Sequence, residues 1–281
     1  MIKDIDNKEF EEIIQSVSQK YGEDISLFDR FFVLKAIEKR VTKKDQNSYL
    51  SYLQTILDNP GEAQKFLSSL NINYSEFFRN SLTFSLLGKL ILPFVLSKKE
   101  KTGDDGIRIW SASCAAGQEA FSIAMLLDEL LSDKAKNLKY HIFATDKNEK
   151  LIRFAKRGSY DFEDVKKVTL NHITKYFKKE NDRYVITGKL KENINFSVYN
   201  LLDEKTSCPP ESIYGDFDII FCCNILFYYN SIIQKVIIDK ITECLPVGGY
   251  FVTGEAEKSI IEKINCFTAV TCTDSIFKKI K

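Results

Sequence analysis

Two short segments of the sequence combine residue types that suit the binding of a nucleoside. Ser-Ala-Ser-Cys-Ala-Ala at 111–116 ends an apolar run and is followed by Gly117, and Asp146 ends the next apolar run. In sheets of parallel strands flanked by helices, ligands bind beyond the carboxyl ends of the strands. There a glycine turn permits close approach of the backbone, and a carboxylate can bind both ribose hydroxyls. Gly117 and Asp146 are therefore candidate cofactor-binding residues.

The same segments restrict the kind of nucleoside. The pattern G-x-G-x-x-G is missing from the glycine turn, so the pyrophosphate cradle of NAD-binding proteins is not predicted. The combination of a glycine turn, an acidic residue at the end of the second strand and the absence of a second glycine favours a single-nucleoside cofactor such as S-adenosylmethionine. Both residues also have ordinary interpretations, because Gly117 can be a simple turn and Asp146 can cap the next helix.

Composition narrows the function classes further. The 281 residues include 40 Lys and Arg against 39 Asp and Glu, and the net charge of +1 provides no overall attraction to nucleic acid or anionic membrane. His141 and His172 are the only histidines, so histidine-based catalysis or metal binding is not favoured. The seven cysteines include no CxxC pair, which predicts buried free thiols rather than disulfides or a zinc site. We expect a cytoplasmic protein with no metal, no nucleic-acid partner and no direct membrane insertion.

Helical periodicity dominates the residues up to about 95. Apolar residues recur at three- and four-residue spacing, which predicts helices that pack through one face. We expect the third helix to begin at the cap Ser48 and to end at Asn59-Pro60-Gly61, with the next helix over 62–70. Pro93 is predicted to lie near the end of a further helical run. The apolar stripes contain Phe10, Ile13, Ile14 and Val17, then Phe28, Phe31, Phe32, Leu34, Ile37 and Val41, then Tyr49, Leu50, Leu53, Ile56 and Leu57.

From residue 104 onward, short apolar strands alternate with helices, which predicts a mainly parallel sheet with helices on its faces. The C-terminal segment predicts two strands joined at Thr273-Asp274, which would form an antiparallel edge. A polar insertion between Tyr160 and Asn193 predicts a small hairpin element. The predicted fold class is therefore α/β, preceded by a small all-α domain. The predicted strands are 107–112, 140–145, 195–199, 218–222 and 250–254, and the predicted helices are 118–131, 148–156 and 232–244.

Several separate strings resemble, in order and spacing, the chemoreceptor glutamate methyltransferase family (CheR). They span roughly residues 70 to 257 and read NINYSEFFRN, IWSASCAAGQEAFSIAM, ATDKNEKLIRFAKRGSY, FDIIFCCNILFYYN and LPVGGYFVTGEAE. The helical N-terminal region also looks like the small helical domain of that family. The resemblance implies a helical domain at 1–70, a linker helix with the Phe-Phe-Arg motif at 71–95, and a Rossmann-like S-adenosylmethionine methyltransferase domain at 96–281 with a small insertion near 160–193.

The resemblance also implies the residues of the site. Arg79 and Tyr228 correspond to the catalytic positions, which are an arginine beside the reacting methyl group and an active-site tyrosine. Gln118 replaces the commoner first glutamate of the cofactor turn, and Cys223 stands where the family usually has arginine. The implied cofactor-binding residues are Ser75, Arg79, Gly117, Glu119, Asp146 for the ribose, Asn200 and Leu201 for the adenine, and Asn224.

The implied reaction fits the scarcity of histidine. A glutamate side chain with a pKa near 4.3 is already ionised at neutral pH, so it can attack a sulfonium methyl group without a general base. The two charges cancel in the transition state, and a water-poor site that aligns oxygen, carbon and sulfur accounts for much of the rate. Arg79 can hold the carboxylate or orient the donor, and the Tyr228 hydroxyl can hydrogen-bond either. Without the resemblance, a surface salt bridge and a core aromatic are the ordinary interpretations of these two residues.

The target implied by the resemblance is the cytoplasmic helical region of a chemoreceptor or similar signalling protein, which would carry glutamate methyl esters. The N-terminal helices also carry a set of basic residues, which is either the docking surface for this target or an ordinary solvated helix face. The set comprises Lys35, Lys39, Arg40, Lys43 and Lys44. The insertion is shorter than in family members that bind a receptor tail on it, so binding of a receptor tail to this insertion is less favoured. Cys223 motivates an alternative, a catalytically weak or inactive CheR-like adaptor that binds the cofactor. A nucleic-acid or small-molecule methyltransferase is disfavoured because no Asn-Pro-Pro-Tyr motif occurs.

Overall fold

The computed structural model describes residues 6–43, 49–71, 73–104, 106–132, 138–213 and 215–281. The chain divides into two compact units. The first consists of Met1–Ile72 with Phe227–Lys235, and the second consists of Asn73–Leu226 with Val236–Lys281. The predicted cap Ser48 and the basic residue Lys44 lie outside the described residues. The three-part domain division at 1–70, 71–95 and 96–281 stays a prediction.

Helices build the first unit, and their apolar faces form its core. They are α1 (Asn7–Tyr21), α2 (Arg30–Lys43), α3 (Tyr49–Asp58) and α4 (Pro60–Leu70). Most of the predicted stripe residues are buried or packed against this core. Phe31 and Leu50 are exceptions, with exposed fractions of 64% and 42%. Phe31 faces solvent with the Lys35 ammonium 4.4 Å from its ring centroid, because consecutive helical residues point in different directions.

The predicted stop between α3 and α4 is confirmed. Asp58 ends α3, and Asn59 caps α4 by accepting a hydrogen bond from the Glu62 N–H at 3.1 Å. Pro60 occupies the first turn of α4, where its missing N–H and fixed φ cost nothing. The turn therefore follows from local backbone chemistry alone.

A buried ion pair joins α2 to α4. The Glu62 side chain is 1% exposed and accepts hydrogen bonds from Arg40 Nε at 2.8 Å and from the Tyr52 hydroxyl at 3.0 Å, and Arg40 Nη2 donates to the same oxygen. The hydrogen bond with Glu62 raises the pKa of Arg40. Arg40 therefore does not belong to a solvent-facing basic surface, which corrects the sequence-based interpretation. A buried carboxylate needs this partner, and the pair neutralises both charges.

The second unit contains a seven-stranded and a three-stranded sheet. The strands are β1 (Gly106–Ala112), β2 (Lys139–Asp146), β3 (Ser159–Tyr160), β4 (Phe177–Glu180), β5 (Arg183–Ile186), β6 (Ile194–Val198), β7 (Ile219–Cys222), β8 (Tyr250–Thr253), β9 (Phe267–Ala269) and β10 (Ile276–Lys279). The helices are α5 (Ser81–Leu86), α6 (Leu92–Thr102), α7 (Gln118–Ser132), α8 (Glu149–Arg157), α9 (Phe162–Val165), α10 (Leu170–Tyr176), α11 (Gly188–Lys191) and α13 (Lys258–Ile261), together with the part of α12 (Ser231–Cys244) that follows Lys235.

The large sheet has the order β6-β2-β1-β7-β8-β10-β9. The first five strands in this order pair in parallel, and β10 pairs antiparallel with both β8 and β9. Ile109 in β1 is in register with Ile142 on one side and Ile219 on the other, and all three are buried. Strands covered on both faces need such continuous apolar runs. The predicted Rossmann-like sheet with an antiparallel edge is confirmed.

The polar insertion forms the small sheet, in the order β3-β5-β4. Its hairpin turns at Asn181, whose φ of 54° lies in the left-handed region that asparagine tolerates. Tyr160 in β3 is buried, and its hydroxyl donates a hydrogen bond to the Ala116 carbonyl at 2.7 Å. The insertion is thus anchored directly to the turn that follows β1.

A helix with one wide turn precedes the sheet. It runs over Ser81–Thr102, with α-helical ends and a π-helical turn at Leu87–Ile91. The prediction that Pro93 lies near the end of this helix is wrong, because α6 continues to Thr102. Pro93 occupies the start of α6 directly after the π turn, where the altered hydrogen bonding removes the need for its N–H.

The same helix is the one among the described residues that is long and apolar enough to cross a membrane by length and composition. A core helix of a globular unit passes the same test. Here the buried face packs into the core of the second unit through Leu87, Ile91, Leu92, Val95 and Leu96. The helix therefore has a clear role in the core.

Candidate active site

The turn from β1 into α7 is held in a strained conformation. Ser113, Ala115 and Gly117 have φ values of 68°, 47° and 91°. Such values are uncommon outside glycine and are maintained only where the surroundings fix them. Here the Cys114 N–H donates to the Thr145 carbonyl at 2.8 Å, and Tyr160 holds the Ala116 carbonyl. The turn is therefore fixed by β2 and by the insertion.

Gly117 is required by this turn for two reasons. Its φ favours glycine, and an added Cβ would lie 2.9 Å from the Ala155 Cβ and 3.3 Å from the rings of Phe121 and Phe196. Those neighbours belong to α7, α8 and β6 and line the side of the turn that packs into the protein. The glycine thus permits close packing behind the turn, and its part in cofactor binding stays a prediction.

Asp146 joins the end of β2 to the glycine turn. The residue is 8% exposed, and its carboxylate accepts hydrogen bonds from the Ala115 N–H at 3.0 Å and the Asn148 N–H at 2.8 Å. Burial raises the pKa of Asp146, and the two backbone hydrogen bonds oppose that effect. Asn148, not Asp146, caps α8, because the Asn148 side chain accepts from the Lys150 N–H. The carboxylate has further lone pairs for a ligand.

Glu119 lies in the first turn of α7, where the Ser111 hydroxyl donates a hydrogen bond to its Oε1 at 2.6 Å. The nearby Cys223 thiol donates to the Val252 carbonyl at 3.5 Å. Burial raises the pKa of Glu119 to about 7, against the opposing effects of the Ser111 hydroxyl, the Cys223 thiol and the Arg79 charge. Burial also raises the pKa of the Cys223 thiol well above its usual value. At neutral pH the thiol is therefore neutral, and Glu119 is close to its titration midpoint.

Two cavities meet at a common wall in the second unit. One is a narrow cleft that includes Ser75 and the glycine-turn residues Ser113, Cys114 and Ala115. The other has a volume of about 500 Å³ and includes Asn80 and the residues after β8. The wall that both share contains Arg79, Phe84, Glu119, Cys223 and Asn224. The structure thus brings four of the predicted site residues, Ser75, Arg79, Glu119 and Asn224, to one place.

Arg79 is an exposed cation on this wall. Its Nη1 donates to the Tyr74 carbonyl at 3.4 Å, and its guanidinium lies 5.3 Å from the Tyr74 ring centroid. Neither contact neutralises its charge, which opposes the effect of burial on the pKa of Glu119. A guanidinium so placed can bind an anionic group that enters either cavity.

Residues 73–276 of the chain match the family described as CheR methyltransferase, SAM binding domain. The chain belongs to the CheR methyltransferase family. It is 26% identical over 256 residues to the chemotaxis protein methyltransferase of Borreliella burgdorferi, covering 90% of this chain and 89% of that protein. It is 27% identical over 254 residues to the chemotaxis protein methyltransferase of Escherichia coli, covering 88% and 83%. A solved structure of a putative caffeoyl-CoA O-methyltransferase from Staphylococcus aureus has a TM-score of 0.41 at 14% identity, covering 88% and 99%.

The donor set of this CheR-family domain fits S-adenosylmethionine. Asp146 offers carboxylate oxygens for a ribose, and Glu119 offers a carboxyl group to a cation. Gln118, at the start of α7, is 4% exposed, and its Oε1 has no hydrogen-bond partner within the described ranges.

Across those ranges, no group of three or more His, Cys, Asp or Glu side chains is arranged to hold a metal ion.

The predicted adenine-side residues of the CheR family lie beside β2 and outside the two cavities. Asn200 and Leu201 follow β6, and the Tyr199 N–H donates to the Asp146 carbonyl at 3.1 Å, which ties this segment to the end of β2. Asn200 is exposed, and its Oδ1 accepts from the Leu202 N–H at 3.0 Å. Leu201 is buried. Their contact with adenine stays a prediction.

Tyr228, the predicted active-site tyrosine of the CheR family, belongs to the first unit. Its ring centroid is 4.8 Å from that of Phe32 and 4.1 Å from that of Phe227, and its carbonyl accepts from the Asp29 N–H at 2.8 Å. The catalytic role of Tyr228 stays a prediction.

Sequence reasoning missed Glu257, which lies just after β8. This side chain is fully buried and accepts hydrogen bonds from the segments that follow both β7 and β8. The string GEAE contains it, but a glutamate in a polar segment after a strand usually faces solvent. No signal in a single sequence identifies such a residue as buried.

Proposed function

We propose that this protein transfers the methyl group of S-adenosylmethionine to glutamate side chains of a chemoreceptor or similar signalling protein in the cytoplasm. The observation that carries the proposal is the common wall of the two cavities, where Arg79 and Glu119 stand beside the strained glycine turn. Membership of the CheR family and the names of the relatives support a chemotaxis role. Neutralising carboxylates on a helical receptor would change its packing and so its signalling.

The cofactor supplies an electrophilic methyl group on a sulfonium. Asp146 would bind the ribose, with Asn200 and Leu201 at the adenine, and the carboxyl group of Glu119 would face the cationic part of the donor. Arg79 would bind the acceptor carboxylate and so orient an oxygen towards the methyl carbon. Tyr228 would hydrogen-bond the acceptor or the donor. An ionised glutamate needs no base, so the side chains only have to orient the reactants and exclude water.

The cofactor site is tested by calorimetric titration with S-adenosylhomocysteine. We expect micromolar binding by the wild type and its loss in Asp146→Ala, because the variant lacks the ribose acceptor. Asp182→Ala, in the exposed hairpin turn, is the matched control and should bind like the wild type. Absence of binding by folded wild-type protein would contradict the enzymatic proposal.

The acceptor is tested with S-adenosylmethionine labelled in the methyl group and the cytoplasmic region of a receptor from the same organism. We expect label that mild base releases as methanol, which identifies a carboxyl ester. Base-stable label would contradict a glutamate target.

A second candidate function, a cofactor-binding adaptor without turnover, is favoured by one observation. Cys223 contributes a neutral thiol to the wall, at the position where the family usually has a cation. Cofactor binding without transfer to any co-occurring receptor, even at high protein concentration, would support the adaptor over the enzyme.

A further inference from the structure

Glu257 is a buried anion that the proposed reaction does not use. The residue is 0% exposed. Its carboxylate accepts five hydrogen bonds, three of them from the backbone N–H groups of Asn224, Ile225 and Leu226 at 2.8, 2.6 and 2.6 Å. The other two come from the Thr253 hydroxyl and the Gly254 N–H, both at 2.8 Å. Four of the five partners are backbone N–H groups, which can only donate, so the ionised form of the carboxylate suits this site best.

These hydrogen bonds shape the wall of both cavities. Asn224 has a φ of 59°, a conformation that needs support from its surroundings in a non-glycine residue. Its side chain packs on Gly254, where an added Cβ would lie 2.5 Å from Asn224 Nδ2. Glu257 binds the N–H of Asn224 on one side and the N–H of Gly254 on the other. The carboxylate therefore fixes both the backbone that bears the Asn224 amide and the surface against which that amide rests.

We propose that Glu257 is a positioning residue for the donor site, because its carboxylate clamps the segments after β7 and β8 and holds Asn224 in the wall that both cavities share. A second observation agrees with close coupling across this wall. Burial raises the pKa of Glu119 and of Cys223, and the negative charge of Glu257 acts in the same direction on both. The inference rests on the proposed function, since the ligand concerned is S-adenosylmethionine or its product.

The test is calorimetric titration of S-adenosylhomocysteine into Glu257→Gln. The amide has nearly the shape of the carboxylate but turns an NH2 group towards backbone donors, so hydrogen bonds on one side of the clamp are lost. We expect the Kd to rise by about tenfold or more with the stoichiometry still near one. Glu262→Gln makes the same change in charge on an exposed side chain of the same segment, and it should leave the Kd unchanged.

The stoichiometry separates positioning from a merely structural role. If Glu257 only stabilised the fold, the variant would contain less active protein, so the stoichiometry would fall while the Kd stayed constant. The amide proton shifts of Ile225 and Leu226 give an independent signature. Short hydrogen bonds to a carboxylate move such shifts downfield, and we expect both to move upfield in Glu257→Gln and to stay in place in Glu262→Gln.

The outcomes also separate this inference from the proposed function. An unchanged Kd in Glu257→Gln, with wild-type binding intact, would overturn only the positioning role. If Glu257→Gln does not fold, Glu257→Asp retains the charge but reaches fewer donors. For that variant we expect a Kd increased by about threefold or more at unchanged stoichiometry, and an unchanged Kd would again overturn the inference.

Discussion

The carboxyl group of Glu119 is set to change charge near neutral pH. Burial raises its pKa to about 7, and the Ser111 hydroxyl, the Cys223 thiol and the Arg79 charge hold the shift within that limit. A permanent cation in hydrogen-bond contact would keep such a carboxyl group ionised, and Cys223 supplies only a neutral thiol. In the proposed complex, the sulfonium donor brings the missing positive charge.

Proton release on donor binding follows from this arrangement. The cation favours ionised Glu119 and lowers its pKa, so S-adenosylmethionine should bind more tightly as pH rises from about 6 to about 8 and should displace a fraction of a proton. Calorimetry in buffers of different ionisation enthalpy measures that proton. Glu119→Gln should show neither the release nor the pH dependence, and affinity that falls with rising pH in the wild type would contradict the assignment.

At this scale, residues with a local signal were identifiable from the sequence, whereas residues defined by distant contacts were not. Gly117 and Asp146 follow apolar runs, and the structure places both at the carboxyl ends of neighbouring strands. Glu257 gains its role only because β7 and β8 are paired, and Arg40 is neutralised only because α2 and α4 pack together. Such pairings are properties of the folded chain.

Among the elements, the turn between β1 and α7 contains a glycine that combines a positive φ with close packing against neighbouring side chains. Gly117 and Gly103 have φ values of 91° and 74°, but an added Cβ at Gly103 meets nothing within 4 Å. The two positions therefore share a conformational cost and differ in packing.

Replacement of each glycine by alanine separates the two effects. Gly103→Ala should lower the free energy of unfolding of the second unit by about 1–2 kcal/mol, the usual cost of a left-handed residue. Gly117→Ala should cost at least about 1 kcal/mol more, because its Cβ overlaps Ala155. Urea denaturation measures both values, and equal losses would contradict the packing argument.

The element pattern was largely predictable, because buried parallel strands and amphipathic helices have distinct periods. The strands at 107–112, 140–145 and 195–199 agree with β1, β2 and β6 to within two residues at each end. The end of the helix containing Pro93 was not predictable, since a π turn leaves no periodic signal that a proline rule would recognise.

At the scale of the whole molecule, each unit has a hydrophobic core of its own. The core of the first unit contains residues between Phe10 and Leu70, and that of the second contains residues between Phe77 and Ile276. Separate cores allow separate responses to a ligand, because only the unit that binds is stabilised by mass action.

Scanning calorimetry with S-adenosylhomocysteine should therefore affect one transition. Ligand at about one hundred times its Kd should stabilise the second unit by about 2.7 kcal/mol and raise its unfolding temperature. Arg40→Met, which leaves the Glu62 carboxylate buried without its cation, should lower the transition of the first unit instead. A single transition that responds to both changes would show that the units unfold together.

The π turn at Leu87–Ile91 sets the angular register of everything that precedes it in its helix. Each residue of an α-helix advances by about 100° around the axis, so deletion of Gly88 would rotate α5 by roughly that angle relative to α6. Phe84, now in the wall, would swing away from it, and the chain carrying Arg79 and Asn80 would leave the cavities. One extra residue within the helix thus decides which side chains the site contains.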